Sequence, residues 1–204
     1  MMKFRAMLVC SAACGLLLGQ LAFADGSADK GQAKSAPCAA CHGGDGNSIN
    51  PEWPSLASQH PQYINKQLHA FKSGARQNPL MTPMAQPLSD EDIEDLAAYF
   101  SKQVRRGGET EPSKVSVGQR VYRGGDNNSG VPACLACHGP RGDGNPSALY
   151  PSIRGQQATY VVNQLKAYRA GTRQTDQNQM MRNVAASMTD EQIDAVASYV
   201  QGLR

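Results

Sequence analysis

Cys38-Ala39-Ala40-Cys41-His42 and Cys134-Leu135-Ala136-Cys137-His138 are two copies of one five-residue pattern in a chain of 204 residues. Two thiols three residues apart lie on one side of a helical turn, with an imidazole beside the second. That spacing suits covalent attachment of haem through two thioethers, after which the adjacent histidine reaches the iron. Two other readings compete with it. Structural zinc needs four nitrogen or sulfur ligands. Outside residues 1–24, each half of the chain offers two cysteines and one adjacent histidine, plus His60 or His69 in the first half and no further histidine in the second. A thioredoxin-like dithiol wants a βαβ setting, which the helical patterning below denies.

Working outward from the motifs, the flanks repeat as well. Asp45-Gly46-Asn47 matches Asp143-Gly144-Asn145, and Pro54-Ser55-Leu56 matches Pro151-Ser152-Ile153. Gln59, Tyr63, Gln67, Leu68, Gly74 and Arg76 match Gln156, Tyr160, Gln164, Leu165, Gly171 and Arg173. Asp90-Glu91, Ile93, Ala97 and Tyr99 match Asp190-Glu191, Ile193, Ala197 and Tyr199. The repeat divides the chain into domains at 25–104 and 114–204, joined by a polar, glycine-bearing linker at 105–113. Ile64, Leu68 and Phe71, like Val161, Leu165 and Tyr168, form one apolar stripe per helix. Thr189 with Gln192, and Ser89 with Asp92, read as capping boxes opening a second helix in each half. Its apolar face carries Ile93, Leu96, Ala97 and Phe100, or Ile193, Val196, Ala197 and Val200. Nothing alternates with period two, so the fold class is all-α.

Composition agrees with a globular protein that fills its core with something besides side chains. The chain is 40% hydrophobic, 18% charged and only 6% aromatic, with one tryptophan. A mean hydropathy of -0.47 is too polar for a multi-span membrane protein. The net charge of +3 and the lack of a basic run argue against nucleic acid. Domains this small are marginal without a staple or cofactor, and a porphyrin in each would be the largest apolar object in the core.

Residues 1–24 carry Lys3 and Arg5, an apolar run from Ala6 to Leu18, and Ala22-Phe23-Ala24 before Asp25. This is the pattern of a cleaved secretory signal peptide; the competing reading is an uncleaved anchor helix. Cys10 and Cys14 fall inside the leader, so the four remaining cysteines all belong to the two motifs.

The sixth iron position decides between electron carrier and catalyst. His60 and His69 have Gln157 and Lys166 as counterparts in the second half, so bis-histidine ligation cannot serve both domains; both are expected to be helix-surface residues. In the register set by the following helix, Met81 falls on Met181, Met84 on Val184, Met180 on Leu80 and Met188 on Leu88. Met81 and Met181 are therefore the expected distal ligands, with Met84 and Met180 as the alternatives and core filling as the plain role for such residues. A carbonyl at the repeated Pro54 and Pro151 could accept the histidine N–H and fix the ring.

The tandem CAACH and CLACH motifs, the segments beginning Met81-Thr-Pro-Met-Ala-Gln-Pro-Leu-Ser and Met180-Met181-Arg-Asn-Val, and the closing Tyr199-Val200-Gln201-Gly202-Leu203 resemble the dihaem cytochrome c4 family. The resemblance implies two tandem class I cytochrome c domains, each wrapped around a covalently bound haem. They would be related by a pseudo-twofold axis, with haem propionates approaching at the interface. It implies a periplasmic electron carrier rather than an enzyme, often loosely held to the inner membrane. Its donor would be the cytochrome bc1 complex and its acceptor a haem-copper terminal oxidase. Carried over by motif, Cys38, Cys41, His42 and Met81 serve the first haem c, and Cys134, Cys137, His138 and Met181 the second. Two other functions compete: a dihaem oxidoreductase with one open haem site for thiosulfate or peroxide chemistry, and a tightly docked electron-transfer subunit. Two features depart from the family pattern: a short stretch before Met81, and a first helix around Gly31 to Lys34 without the aromatic that Tyr122 supplies after Gly118.

Residues 25–104 hold six Lys/Arg and nine Asp/Glu, net -3, whereas residues 114–204 hold ten and six, net +4. This asymmetry suggests different partners at the two ends and, because positive surroundings favour the reduced state, a higher potential for the second haem.

Overall fold

A computed structural model describes residues 26–204; the leader expected at 1–24 lies outside the described residues. Its helices fall into two sets of the same order. The first set is α1 (Ala28–Lys34), α2 (Ala36–His42), α3 (Pro61–Lys72), α4 (Met81–Ala85) and α5 (Asp90–Ser101). The second is α6 (Val115–Gly124), α7 (Leu135–His138), α8 (Ala158–Arg169), α9 (Met180–Ala186) and α10 (Asp190–Gly202). Among the described residues there are no strands, only isolated bridges at Asp126–Val131 and Asn145–Tyr150. None of these helices is long and apolar enough to cross a membrane.

Local chemistry sets the ends of the helices. Ser89 and Thr189 each accept from the backbone N–H three residues on, while Asp92 and Gln192 reach back to the cap N–H, completing both capping boxes. Helix α3 opens on Pro61, whose fixed φ suits the first turn. The apolar stripes turn inward as the periodicity requires. Ile64, Leu96, Ala97, Tyr99 and Phe100 form the first core. Val121, Tyr122, Leu165, Met188, Ile193, Val196 and Val200 form most of the second.

In each half the first and last helices cross at a glycine. A Cβ on Gly31 would lie 2.0 Å from the Asp95 carbonyl oxygen, and one on Gly118 would lie 2.4 Å from that of Ala195. Only a residue without a side chain permits this approach. The α1–α5 crossing is closed by Lys34, which pairs with Asp95 at 2.9 Å while Ser27 N–H donates to the same carboxylate at 2.7 Å.

The aromatic missing from the first helix is replaced from another element. Tyr122 on α6 donates to the Gly139 carbonyl at 2.6 Å, just beyond the second motif. In the first half Tyr99 on α5 donates to the Gly44 carbonyl at 2.9 Å. The same loop is therefore pinned from opposite partners of the helix pair, and Tyr199, freed of that role, packs against Tyr122 with ring centroids 5.5 Å apart.

Candidate haem sites and the surface between them

Each CxxCH segment is a short helix stopped by glycine: α2 ends at Gly43 with φ 82° and α7 at Gly139 with φ 76°. These positive-φ positions turn the chain away directly after the histidine. Both imidazoles are buried. His42 Nδ1 lies 2.8 Å from the Pro54 carbonyl oxygen and His138 Nδ1 lies 3.0 Å from that of Pro151. With Nδ1 as the donor, Nε2 carries the lone pair and is the atom able to ligate a metal. Burial holds both histidines below their usual range despite those carbonyls, so neutral rings are favoured.

The four motif cysteines make no disulfide. Burial pushes the Cys38 thiol up and that of Cys134 to about 11. Cys38 packs against the first core, and Cys134 packs against the second together with Met181. Among the described residues no three His, Cys, Asp or Glu side chains converge, so the donor set does not meet the requirement of zinc.

The methionines separate by environment. Met81 opens α4, half-buried, with its N–H held by Asn78 Oδ1 at 2.9 Å. Met84 is 41% exposed. Met180 Sδ accepts from the Tyr150 hydroxyl at 3.6 Å. Met188 is buried in the second core. Asn178 and Gln179, immediately before Met180, both take left-handed conformations at φ 50° and 60°, a costly arrangement for residues with side chains.

Sequence reasoning left the repeated polar residues without a role. They form the contact between the halves, in reciprocal pairs as an approximate twofold axis requires. Ser55 N–H donates to Gln156 Oε1 at 2.8 Å, and Ser152 N–H donates to Gln59 Oε1 at 2.9 Å. Gln156 and Gln59 return donation to the Ser55 and Ser152 carbonyls at 2.9 and 2.8 Å. Arg76 reaches Tyr160 and Gln164, while Arg173 reaches Tyr63 and Gln67. Each guanidinium also stacks on an aromatic ring of its own half, Phe71 or Tyr168, at 4.6 Å. The signal was visible: polar side chains kept in both copies at places off the apolar stripe. His60, expected on the helix surface, instead faces the other half, with Nε2 2.8 Å from the Asp143 carbonyl. His69 is at the surface, beside Asp90.

Residue Arg105 fastens the connection. Its Nε donates to Ala57 at 2.6 Å and its Nη1 to Arg154 at 3.2 Å. Burial, with Arg154 nearby, pulls its guanidinium down to about 10.

The cytochrome c family model matches residues 28–103 and 116–204. Each half is thus a c-type cytochrome domain, and the chain is a two-domain c-type cytochrome. It is 46% identical to cytochrome c4 of Pseudomonas aeruginosa over 90% of this chain and 92% of that protein. The crystal structure of reduced recombinant cytochrome c4 from Pseudomonas stutzeri superposes with a TM-score of 0.85 at 44% identity, covering 88% of this chain and all of the other. The chain belongs to the cytochrome c4 family: it is a dihaem c-type cytochrome, with haem c covalently attached, and it transfers electrons. It is also 38% identical to a thiosulfate dehydrogenase electron acceptor of Stutzerimonas stutzeri, over 89% of this chain and 84% of that protein.

Proposed function

We propose that this chain is a periplasmic one-electron carrier in which Cys38 and Cys41 attach the first haem, and Cys134 and Cys137 the second. His42 with Met81, and His138 with Met181, complete the two iron sites. The observation that carries this reading is the pair of buried histidines turned by Pro54 and Pro151 so that Nε2 is left to ligate. Solvent exposure of Met84 and the Tyr150 bond to Met180 favour the neighbouring Met81 and Met181 as ligands.

Bound haem supplies a one-electron ferric/ferrous couple, which a soft thioether ligand biases toward the reduced state. The protein's part would be to hold these ligands in place, and His42 with Met81, like His138 with Met181, would leave no open position at either iron for oxygen or peroxide. Arg76 and Arg173 meet at the contact between the halves; among the described residues no carboxylate is a hydrogen-bond partner of either, and Arg173 Nε is buried with no partner. Such a setting suits a group that brings its own carboxylates, as haem does.

The domains are 25–104 and 114–204, linked by 105–113, and residues 1–24 are a signal peptide that directs export and is then cleaved. The donor is the cytochrome bc1 complex and the acceptor a haem-copper oxidase, the protein being held at most peripherally to the inner membrane. A second donor, a thiosulfate-oxidising enzyme, is favoured by the 38% identity to a thiosulfate dehydrogenase electron acceptor. Stopped-flow reduction of the oxidised holoprotein by each candidate donor separates the two. Rapid reduction by the bc1 complex and none by thiosulfate with its dehydrogenase supports the first; the reverse supports the second. Carbon monoxide binding to one reduced haem would instead favour an oxidoreductase with an open site.

A further inference from the structure

The bonds that join the halves run through the same peptide units that hold the proximal histidines. The carbonyl of the Pro54–Ser55 peptide faces His42 Nδ1 at 2.8 Å. The N–H of that one peptide donates across the contact to Gln156 Oε1 at 2.8 Å. The mirror arrangement links His138, the Pro151–Ser152 peptide and Gln59 at 3.0 and 2.9 Å. Ser55, Ser152, Gln59 and Gln156 are all buried, so water does not compete for these bonds. Each glutamine is held in turn: Gln156 Oε1 also accepts from Gln157 N–H and Gln59 Oε1 from His60 N–H, both at 3.0 Å.

A peptide whose N–H is engaged carries more negative charge on its carbonyl oxygen, so chained hydrogen bonds strengthen one another by about 10–30% each. A stronger acceptor at Nδ1–H makes the imidazole a better electron donor to its metal. We propose that Gln156 and Gln59 are positioning residues that act across the domain contact, each tuning the haem of the other domain through the proximal histidine. Gln156 sets the electron richness of His42, and Gln59 sets that of His138. Each glutamine thereby favours ferric iron in the opposite domain, and by linkage oxidation of that iron tightens the contact. This rests on His42 and His138 being the iron ligands.

The test is a site-resolved redox titration of the dihaem holoprotein, with the hyperfine-shifted proton resonances of each haem followed by NMR. Gln156→Met removes the acceptor with little change of size. It is expected to raise the first haem's potential, so that the reduced-to-oxidised ratio at fixed ambient potential increases roughly two- to fourfold. The imidazole resonance of His42 should move, while the second haem stays where it was. Gln59→Met is expected to do the same to the second haem only. Gln156→Glu keeps an oxygen acceptor for Ser55 N–H, and is expected to leave the first potential at or below the parent value. The spectra report histidine ligation separately, so loss of the ligand assignment is seen in the parent protein before any variant is made. With ligation intact, equal shifts at both haems, a shift confined to the variant's own domain, or no shift would overturn the relay. A shift of the same sign for Gln156→Met and Gln156→Glu would reduce the glutamines to simple contact residues.

Discussion

Replacing Gly118 by alanine tests whether the crossing of α6 and α10 is set by backbone contact. The added Cβ would lie 2.4 Å from the Ala195 carbonyl oxygen and 2.7 Å from Tyr199 Cβ. Ordinary contact needs more than about 3 Å, so the helices must separate by roughly 1 Å. The first obstacle is backbone, which cannot rotate aside as a side chain would. Overpacking of this kind costs about 1–3 kcal/mol, and the gap opened beside Val121, Val196 and Val200 loses packing as well. Alanine's better helix propensity returns at most about 1 kcal/mol. The net expectation is about 2 kcal/mol of lost stability in the second domain, or roughly 10 °C in Tm for a domain of this size. Gly124 on the same helix has open space within 4 Å of where a Cβ would stand, so Gly124→Ala is the control and should be neutral or mildly stabilising. Thermal unfolding followed by circular dichroism reads both. A Gly118→Ala protein as stable as the parent, or a control equally damaged, would refute the backbone-contact argument.

Three further outcomes are expected. Tyr122→Phe and Tyr99→Phe each delete one hydrogen bond to the loop after a haem motif, at a cost of about 1 kcal/mol each, and chemical denaturation should show similar losses in the two domains. Asp95 is held below the usual carboxylate range by Lys34 and by the Ser27 N–H, against the opposing effect of burial. Its stabilisation is therefore present above the unfolded carboxylate pKa and lost as pH falls through the folded value, so the Tm gap between Asp95→Asn and the parent should be full at about pH 7 and close in acid. Met181→Leu should abolish the far-red thioether-to-iron band of one haem, whereas Met180→Leu should keep it and lose only the Tyr150 contact; the reverse result would exchange the two assignments.

Much of the architecture is legible because it repeats. The apolar stripes of α3, α5, α8 and α10 and both capping boxes follow from local spacing alone, while the repeat of Pro54 as Pro151 suggested, without fixing, the carbonyls that face His42 and His138. What local pattern does not reveal is the contact between halves. Gln59, Tyr63, Gln67 and Arg76 look like ordinary polar residues on or just beyond the ends of an amphipathic helix, and their partners lie in the other copy. Their recurrence as Gln156, Tyr160, Gln164 and Arg173 was the available clue, because a polar residue kept twice at a fixed place needs a shared partner. His60 escaped for the same reason: its counterpart Gln157 also crosses the contact, to the Ser48 carbonyl at 2.6 Å, so different side chains fill one role. The tyrosine exchange between α6 and α5 was hidden because the shared feature is the pinned loop after the motif, not the residue that pins it.

The most direct test of the account is a spectroscopic redox titration of the holoprotein with haem counted per chain. Two covalent haems, a thioether-to-iron band from each in the oxidised state, and two potentials unmoved by cyanide or carbon monoxide are expected of a His/Met electron carrier. One haem per chain, or a haem that lacks the band and binds added ligand readily, would contradict it.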